Sequence, residues 1–161
     1  MKVLVVSDSH SSLAFMRRAV VKLRPDFIVH LGDHYSDGQV IAEENPNIRV
    51  IQLPGNCDCF SIGADQPQVI CCSIGGVRCY MTHGHKHYVK SGFGRLIAAA
   101  KEAGASVAMF GHTHSALCQN ADGLLLINPG SCRGFGGSVC LMEIEENEIS
   151  SCRILWQEDI G

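Results

Sequence analysis

The sequence predicts an α/β protein: a four-layer α/β/β/α sandwich of two mixed β-sheets flanked by helices. Two observations lead there. The first half alternates short apolar runs with helical periodicity, as parallel βαβ units do, and the second half is dominated by strand-like runs joined by turn residues, as antiparallel hairpins are. The 161 residues match one domain, 1–161, long enough to bury about two-thirds of its unfolded surface.

Val3 to Val6 is a continuous apolar run, expected of a parallel strand covered on both faces. Leu13, Met16, Val20 and Leu23 then recur at helical spacing until Arg24-Pro25 stops the helix. Phe27 to Leu31 reads as the second strand, Asp37 to Glu44 as a short helix halted before Pro46, and Ile48 to Leu53 as the third strand. Gln68 to Ile74 and Val77 to Met81 flank Gly75-Gly76 as a hairpin. Phe93, Leu96, Ile97 and Ala100 mark a helix ending near Gly104. Strands follow at Val107 to Phe110, Ala116 to Gln119, Leu124 to Ile127, Ser138 to Ile144 and Glu148 to Trp156, with turns at Asn120 to Gly123 and Glu145 to Asn147. No linker, repeat or low-complexity tract interrupts them.

The chemistry is concentrated just past the strands. Asp8-Ser9-His10, Gly32-Asp33, Gly55-Asn56, Thr82-His83-Gly84-His85 and Gly111-His112-Thr113-His114 each follow an apolar run. Open α/β sheets place their binding crevice at the carboxyl ends of strands, so clusters more than a hundred residues apart can converge. Two carboxylates, one carboxamide and three or four imidazoles form a mixed nitrogen and oxygen set, suited to Mn²⁺, Fe, Ni²⁺ or Zn²⁺ rather than to the all-oxygen shells of Mg²⁺ or Ca²⁺. Alternate positions in a turning segment can aim at one point, so Asp8 and His10 can chelate one ion, and His112 and His114 can serve two. Asp33 is the natural bridge, because a carboxylate can link cations about 3.5 to 4 Å apart.

In order and form these clusters resemble the DxH, GD, GN, H and GHxH pattern of the calcineurin-like metallophosphoesterase superfamily, over nearly the whole chain. The short Gly55-Asn56-Cys57-Asp58 form, the Thr82-to-His85 cluster and the Asn128-Pro129-Gly130-Ser131 segment resemble its YfcE-like small phosphodiesterase branch. The resemblance implies the same sandwich fold and two divalent ions per chain, manganese first among them with nickel, iron or zinc as alternatives. One ion would take Asp8, His10, Asp33 and His114, the other Asp33, Asn56, His83 and His112. A hydroxide bridging the ions would attack phosphorus, which makes the expected enzyme a dinuclear phosphodiesterase.

The proton donor is the open question. The superfamily commonly has His after Gly-Asn, where this chain has Cys57, and a thiol of pKa about 8.5 is a poor acid. His85 or His34 could supply the proton, Cys57 could substitute, or the substrate could carry a good leaving group. Asn56, Cys57, Asp58 and His85 are the catalytic candidates, with Asp58 equally suited to orienting its own turn. His30 reads as a satisfied histidine within its strand, His34 and His87 as loop residues, and Arg133 as either a phosphate clamp or a surface residue.

Composition narrows the field. A net charge of −3 gives no basic footprint for strong nucleic-acid binding, which weakens a nuclease reading. The missing histidine weakens a phosphomonoesterase reading. Some relatives, such as the retromer vacuolar-sorting subunit, use this fold as a protein-binding scaffold with impaired metal sites, but all seven ligand positions are filled here. The nine cysteines are odd in number and contain no CxxC, and the apolar start is too short for a signal peptide, so a reducing, cytoplasmic compartment is expected. Cys57-Cys59 and Cys71-Cys72 invite a metal or redox reading; Cys79, Cys140 and Cys152, in strand-like runs, read as small core residues. No run reaches the length of a membrane span. The expected partner is a small or exposed phosphodiester, with homo-oligomer formation left open.

Overall fold

A computed structural model describes residues 1–61 and 64–161. The elements run β1 Lys2–Val6, α1 Leu13–Leu23, β2 Phe27–His30, α2 Tyr35–Glu44, β3 Arg49–Gln52, β4 Val69–Ile74, β5 Val77–Thr82, α3 Gly94–Glu102, β6 Val107–Met109, β7 Leu117–Ala121, β8 Leu124–Asn128, β9 Ser138–Glu145, β10 Glu148–Trp156 and α4 Gln157–Ile160. One sheet has the order β10-β9-β1-β2-β3, the other β4-β5-β6-β8-β7.

The predicted parallel units are present, since β1, β2 and β3 pair in parallel through the α1 and α2 crossovers. A further crossover was not anticipated: β5, β6 and β8 are also parallel, joined in part by α3. The chain then returns to the first sheet, where β9 pairs antiparallel with β1 and β10 closes the edge.

Strand periodicity sets the layers. On β1, Val3 and Val5 face the second sheet and join Met81, Met109 and Ile127 in the central core. Leu4 and Val6 point the other way, onto Phe15, Met16 and Ala19 of α1 and Ile41 of α2. Tyr80, Ala108 and Phe110 cover Leu96 and Ala100 of α3. The result is the predicted four-layer sandwich. Among the described residues no helix is long and apolar enough to cross a membrane.

Two of the three hairpin turns are tighter than the sequence reading placed them, and the Gly75-Gly76 turn lies where it was expected. Between β7 and β8 only Asp122 and Gly123 turn, both with positive φ, because a type I′ turn matches the twist of its strands. Gly75-Gly76 and Glu146-Asn147 repeat that two-residue pattern. Helix α1 ends where Arg24 takes a left-handed conformation and its N–H donates to the Val20 carbonyl, ahead of Pro25. Each ligand cluster follows the carboxyl end of β1, β2, β3, β5 or β6.

Candidate metal centre

The loops meet because they can approach closely and turn sharply. A Cβ on Gly55 would collide with the Asp33 main-chain nitrogen, and one on Gly111 would lie 2.7 Å from Asp8 Oδ2. Glycine is required at both positions by space. Asp8, His10, Asp33, His112 and His114 all have φ between 45° and 66°. Asp and His tolerate this region better than most side chains, and it curls the backbone so that alternate side chains converge.

Four side chains form a candidate metal site: the ligand atoms of Asp8, His10, Asp33 and His114 all lie within 4.8 Å of one another. Asp8 is fully buried and Asp33 nearly so, whereas His114 is 45% exposed, so the carboxylates form the floor and an imidazole the open rim. Asp8 Oδ2 accepts hydrogen bonds from Ser7 Oγ at 2.6 Å and the His112 main-chain N–H at 3.1 Å. Its Oδ1 is buried with no hydrogen-bond partner among the described residues, as is His10 Nε2. His114 Nε2 stands 3.1 Å from that Oδ1, and His10 Nε2 stands 3.8 Å from Asp33 Oδ2. Unpaired buried lone pairs converging in this way are costly without a cation, and this donor set fits a divalent ion of mixed nitrogen and oxygen preference.

Asp33 also faces a second group of donors. His83 Nδ1–H donates to the Leu31 carbonyl at 2.7 Å, which in the neutral ring turns the lone pair of Nε2 inward. That nitrogen lies 3.5 Å from Asp33 Oδ1 and 3.1 Å from Asn56 Oδ1. The His112 ring centroid is 5.1 Å from that of His83. All seven expected ligands are thus brought to one end of the sandwich. Burial lowers the pKa of His10 and His112, which favours the neutral form of each ring, the form able to ligate. Burial pushes Asp33 upward, but His83, the Cys57 N–H and His10 outweigh it and leave the carboxyl below the ordinary range.

The four catalytic candidates separate by environment. Asn56 and Cys57 are exposed at the rim. Desolvation against its loop, followed by the Asp33 carboxylate, pushes the Cys57 thiol up to about 11. His85 stands beside His83 and His112, and burial together with those rings lowers it to about 4. Asp58 is buried, and its Oδ1 accepts from the main-chain N–H groups of His34 and Tyr35 while Oδ2 accepts from Gly55. Of its two expected roles, this geometry supports orienting the turn. A hollow of about 360 Å³ lined by Pro54, Asn56, Gln68, His85 and Lys86 opens beside the centre. A larger one, about 620 Å³ between α2 and strands β3 and β4, is lined by none of the seven expected ligands.

Several positioning residues were not read from the sequence. Buried Ser9 donates from Oγ to Asp37 Oδ2 at 2.6 Å and lies 3.1 Å from His30 Nε2; Asp37 also accepts from the Ser11 N–H. Asn128 donates to the Gly111 carbonyl and to Thr113 Oγ1, and Ser131 donates to the Asp8 carbonyl. The Asn128-to-Ser131 segment was visible as a motif, but its task of tying the first and last ligand loops together was not. His34 and His10 rings are 5.4 Å apart, with Ser11 Oγ 2.8 Å from His34 Nδ1. His87 pairs with the Tyr80 hydroxyl, and Arg133 is exposed.

Comparison with known proteins identifies the family. Residues 1–147 match the family profile described as the calcineurin-like phosphoesterase superfamily domain. A probable metallophosphoesterase of Bacillus subtilis, YsnB, is 33% identical over 83% of this chain and 76% of its own length. Phosphodiesterase MJ0936 of Methanocaldococcus jannaschii is 29% identical over 84% of this chain and 86% of its own. Among solved structures, a predicted phosphoesterase from Streptococcus pneumoniae superposes with a TM-score of 0.75 at 27% identity, covering 98% of this chain and 90% of that one. Vps29 of Entamoeba histolytica with zinc, at 18% identity and a TM-score of 0.73 over 98% and 99% of the two chains, shares the fold alone. With the motif order, the convergent donors and the profile match in agreement, the chain belongs to the calcineurin-like phosphoesterase superfamily.

Proposed function

We propose that the chain is a phosphodiesterase working with two divalent cations, held by Asp8, His10, Asp33 and His114 on one side and by Asp33, Asn56, His83 and His112 on the other. The observation that carries this reading is the position of Asp33. One of its oxygens faces His10 Nε2 at 3.8 Å and the other faces His83 Nε2 at 3.5 Å, so a single carboxylate addresses two donor groups. When bound, the cations supply Lewis acidity and an activated water at neutral pH.

The side chains supply orientation and charge. The Leu31 carbonyl fixes the His83 ring, Ser7 and the His112 N–H fix Asp8, and the Cys57 N–H donates to Asp33 Oδ1 at 2.9 Å. These contacts leave little reorganisation to be done when charge develops on a substrate phosphoryl group. His85 is neutral at pH 7 and can donate or accept one hydrogen bond to the ester, but it carries no spare proton. Cys57 holds its proton too tightly to release it efficiently. The substrate this favours is a diester whose leaving group departs without much protonation.

The test is a metal titration of purified protein with bis(p-nitrophenyl) phosphate and p-nitrophenyl phosphate under saturating Mn²⁺, Ni²⁺, Fe²⁺ or Zn²⁺. Diester cleavage that exceeds monoester cleavage and saturates at two ions per chain is the expected result. Full activity with one ion per chain, or faster monoester cleavage, would overturn the proposal.

A further inference from the structure

Three cysteine sulfurs meet away from the metal centre, where the two sheets come together at their edges. Strand β7 is the outer strand of one sheet and β10 of the other. Cys118 Sγ on β7 lies 2.8 Å from Cys152 Sγ on β10, and Cys140 Sγ on β9 lies 3.4 Å from Cys152. Cys79 and Cys140 are buried, as expected of core residues, but Cys118 and Cys152 are only partly covered. We propose that Cys118 and Cys152 are a disulfide-forming pair that cross-links the two sheets when the chain meets a low-molecular-mass disulfide.

Geometry favours this pair. The two sulfurs need to close by only roughly 0.8 Å to reach the S–S bond length of about 2.05 Å. Partial exposure lets a small disulfide reach them, whereas buried Cys140 is screened. Cys118 and Cys152 are 34 residues apart and Cys140 and Cys152 only 12, so the inter-sheet bond closes the longer loop and restrains the unfolded chain more. The exchange balances without another reactant. One cysteine thiolate attacks a sulfur of the small disulfide, forming a mixed disulfide and releasing one small thiolate. The second cysteine thiolate then attacks the protein sulfur of that mixed disulfide and expels the second small thiolate. The two cysteine protons end on the two released thiols, and the two electrons reduce the small disulfide.

Burial and the Cys152 sulfur push the Cys118 thiol up to about 12, and Cys140 and burial raise Cys152 further. Exchange is therefore slow, and the pair must be read at equilibrium. The full chain, once fully reduced and once oxidised with diamide, should be brought to constant composition in reduced and oxidised glutathione buffers. Non-reducing peptide mapping and thermal melts then report the linkage. Expected are a dominant Cys118–Cys152 peptide from both starting points and a melting temperature raised on the order of 10 °C, reversed by dithiothreitol. Cys118→Ser should lose that rise and Cys140→Ser should keep it. Absence of the Cys118–Cys152 peptide in the most oxidising buffer, dominance of Cys140–Cys152, or an unchanged melting temperature would overturn the proposal. Glutathione adducts at exposed Cys57 and Cys59 are separated by mass and do not count as the linkage.

Discussion

Asp58→Asn tests whether the carboxylate beside the proposed metal ligands works on the substrate or on the loops. Asp58 accepts three main-chain N–H groups, from His34 at 3.0 Å, Tyr35 at 2.9 Å and Gly55 at 2.7 Å. Asparagine keeps one acceptor oxygen and puts an NH₂ where the other stood. Whichever way the amide turns, at least one N–H faces another donor, and the surviving bonds lose the help of a full charge. A hydrogen bond to a charged group contributes about 1.5 to 3 kcal/mol, and leaving a buried donor unpaired costs about 1 to 3 kcal/mol. The expected loss is therefore about 2 to 4 kcal/mol, a fall of roughly 5 to 15 °C in melting temperature for a chain of this size. The Asp33 and Asn56 loops are tied through this residue, so metal affinity should fall with stability. Urea melts, thermal melts and metal titration measure both quantities, and kcat is then read at saturating metal. An unchanged melting temperature and metal affinity with kcat abolished would refute the positioning role and make Asp58 a participant in proton transfer.

Three further outcomes follow from the same geometry. Asp33→Asn should lower kcat on an activated diester by roughly 10²-fold or more, the scale of removing a preorganised electrostatic group, while Cys57→Ala costs far less; equal losses would give Cys57 a role beyond its weak acidity. In a series of aryl diesters kcat/KM should fall steeply as leaving-group pKa rises, and Cys57→His should restore poor leaving groups by up to about 10²-fold; a shallow slope in the native chain would show that an efficient acid is already present. Burial lowers fully buried His30 to about 4, with Gly32 N–H donating to its Nδ1, so the metal-free protein keeps this contribution above pH 6.5 and loses it as pH falls toward 4. The loss is about 3 kcal/mol at roughly 1.36 kcal/mol per pH unit, and urea midpoints of the native chain should fall more steeply over that window than those of His30→Gln; parallel curves would remove His30 from the acid response.

The parts of this molecule that were legible in its sequence are those whose physics is local. Val3 to Val6 announces a strand covered on both faces because each neighbouring residue must be apolar, and Asp8 and His10 announce a ligand pair because both residue types donate lone pairs at a spacing that can converge. The return of β9 to pair with β1 was not legible, since the Ser138 to Ile144 run has the same pattern whichever sheet receives it. Nor was the role of Asp58: a carboxylate after Gly-Asn-Cys reads alike whether it meets substrate or three main-chain donors, and the donors come from His34, Tyr35 and Gly55 on two different loops. The left-handed conformations at five ligand positions are equally silent, because Asp and His permit them without requiring them. Such conformations cost of order 1 kcal/mol or more apiece and persist only where the surroundings determine them. Here Asn128, Ser131 and Asp37 supply part of that determination from outside the ligand clusters, each by hydrogen bonds to a loop's own backbone or to a residue lying between two ligands. The ligand motifs name the donor atoms, and these unobtrusive polar residues decide whether the atoms stand close enough together to hold a cation.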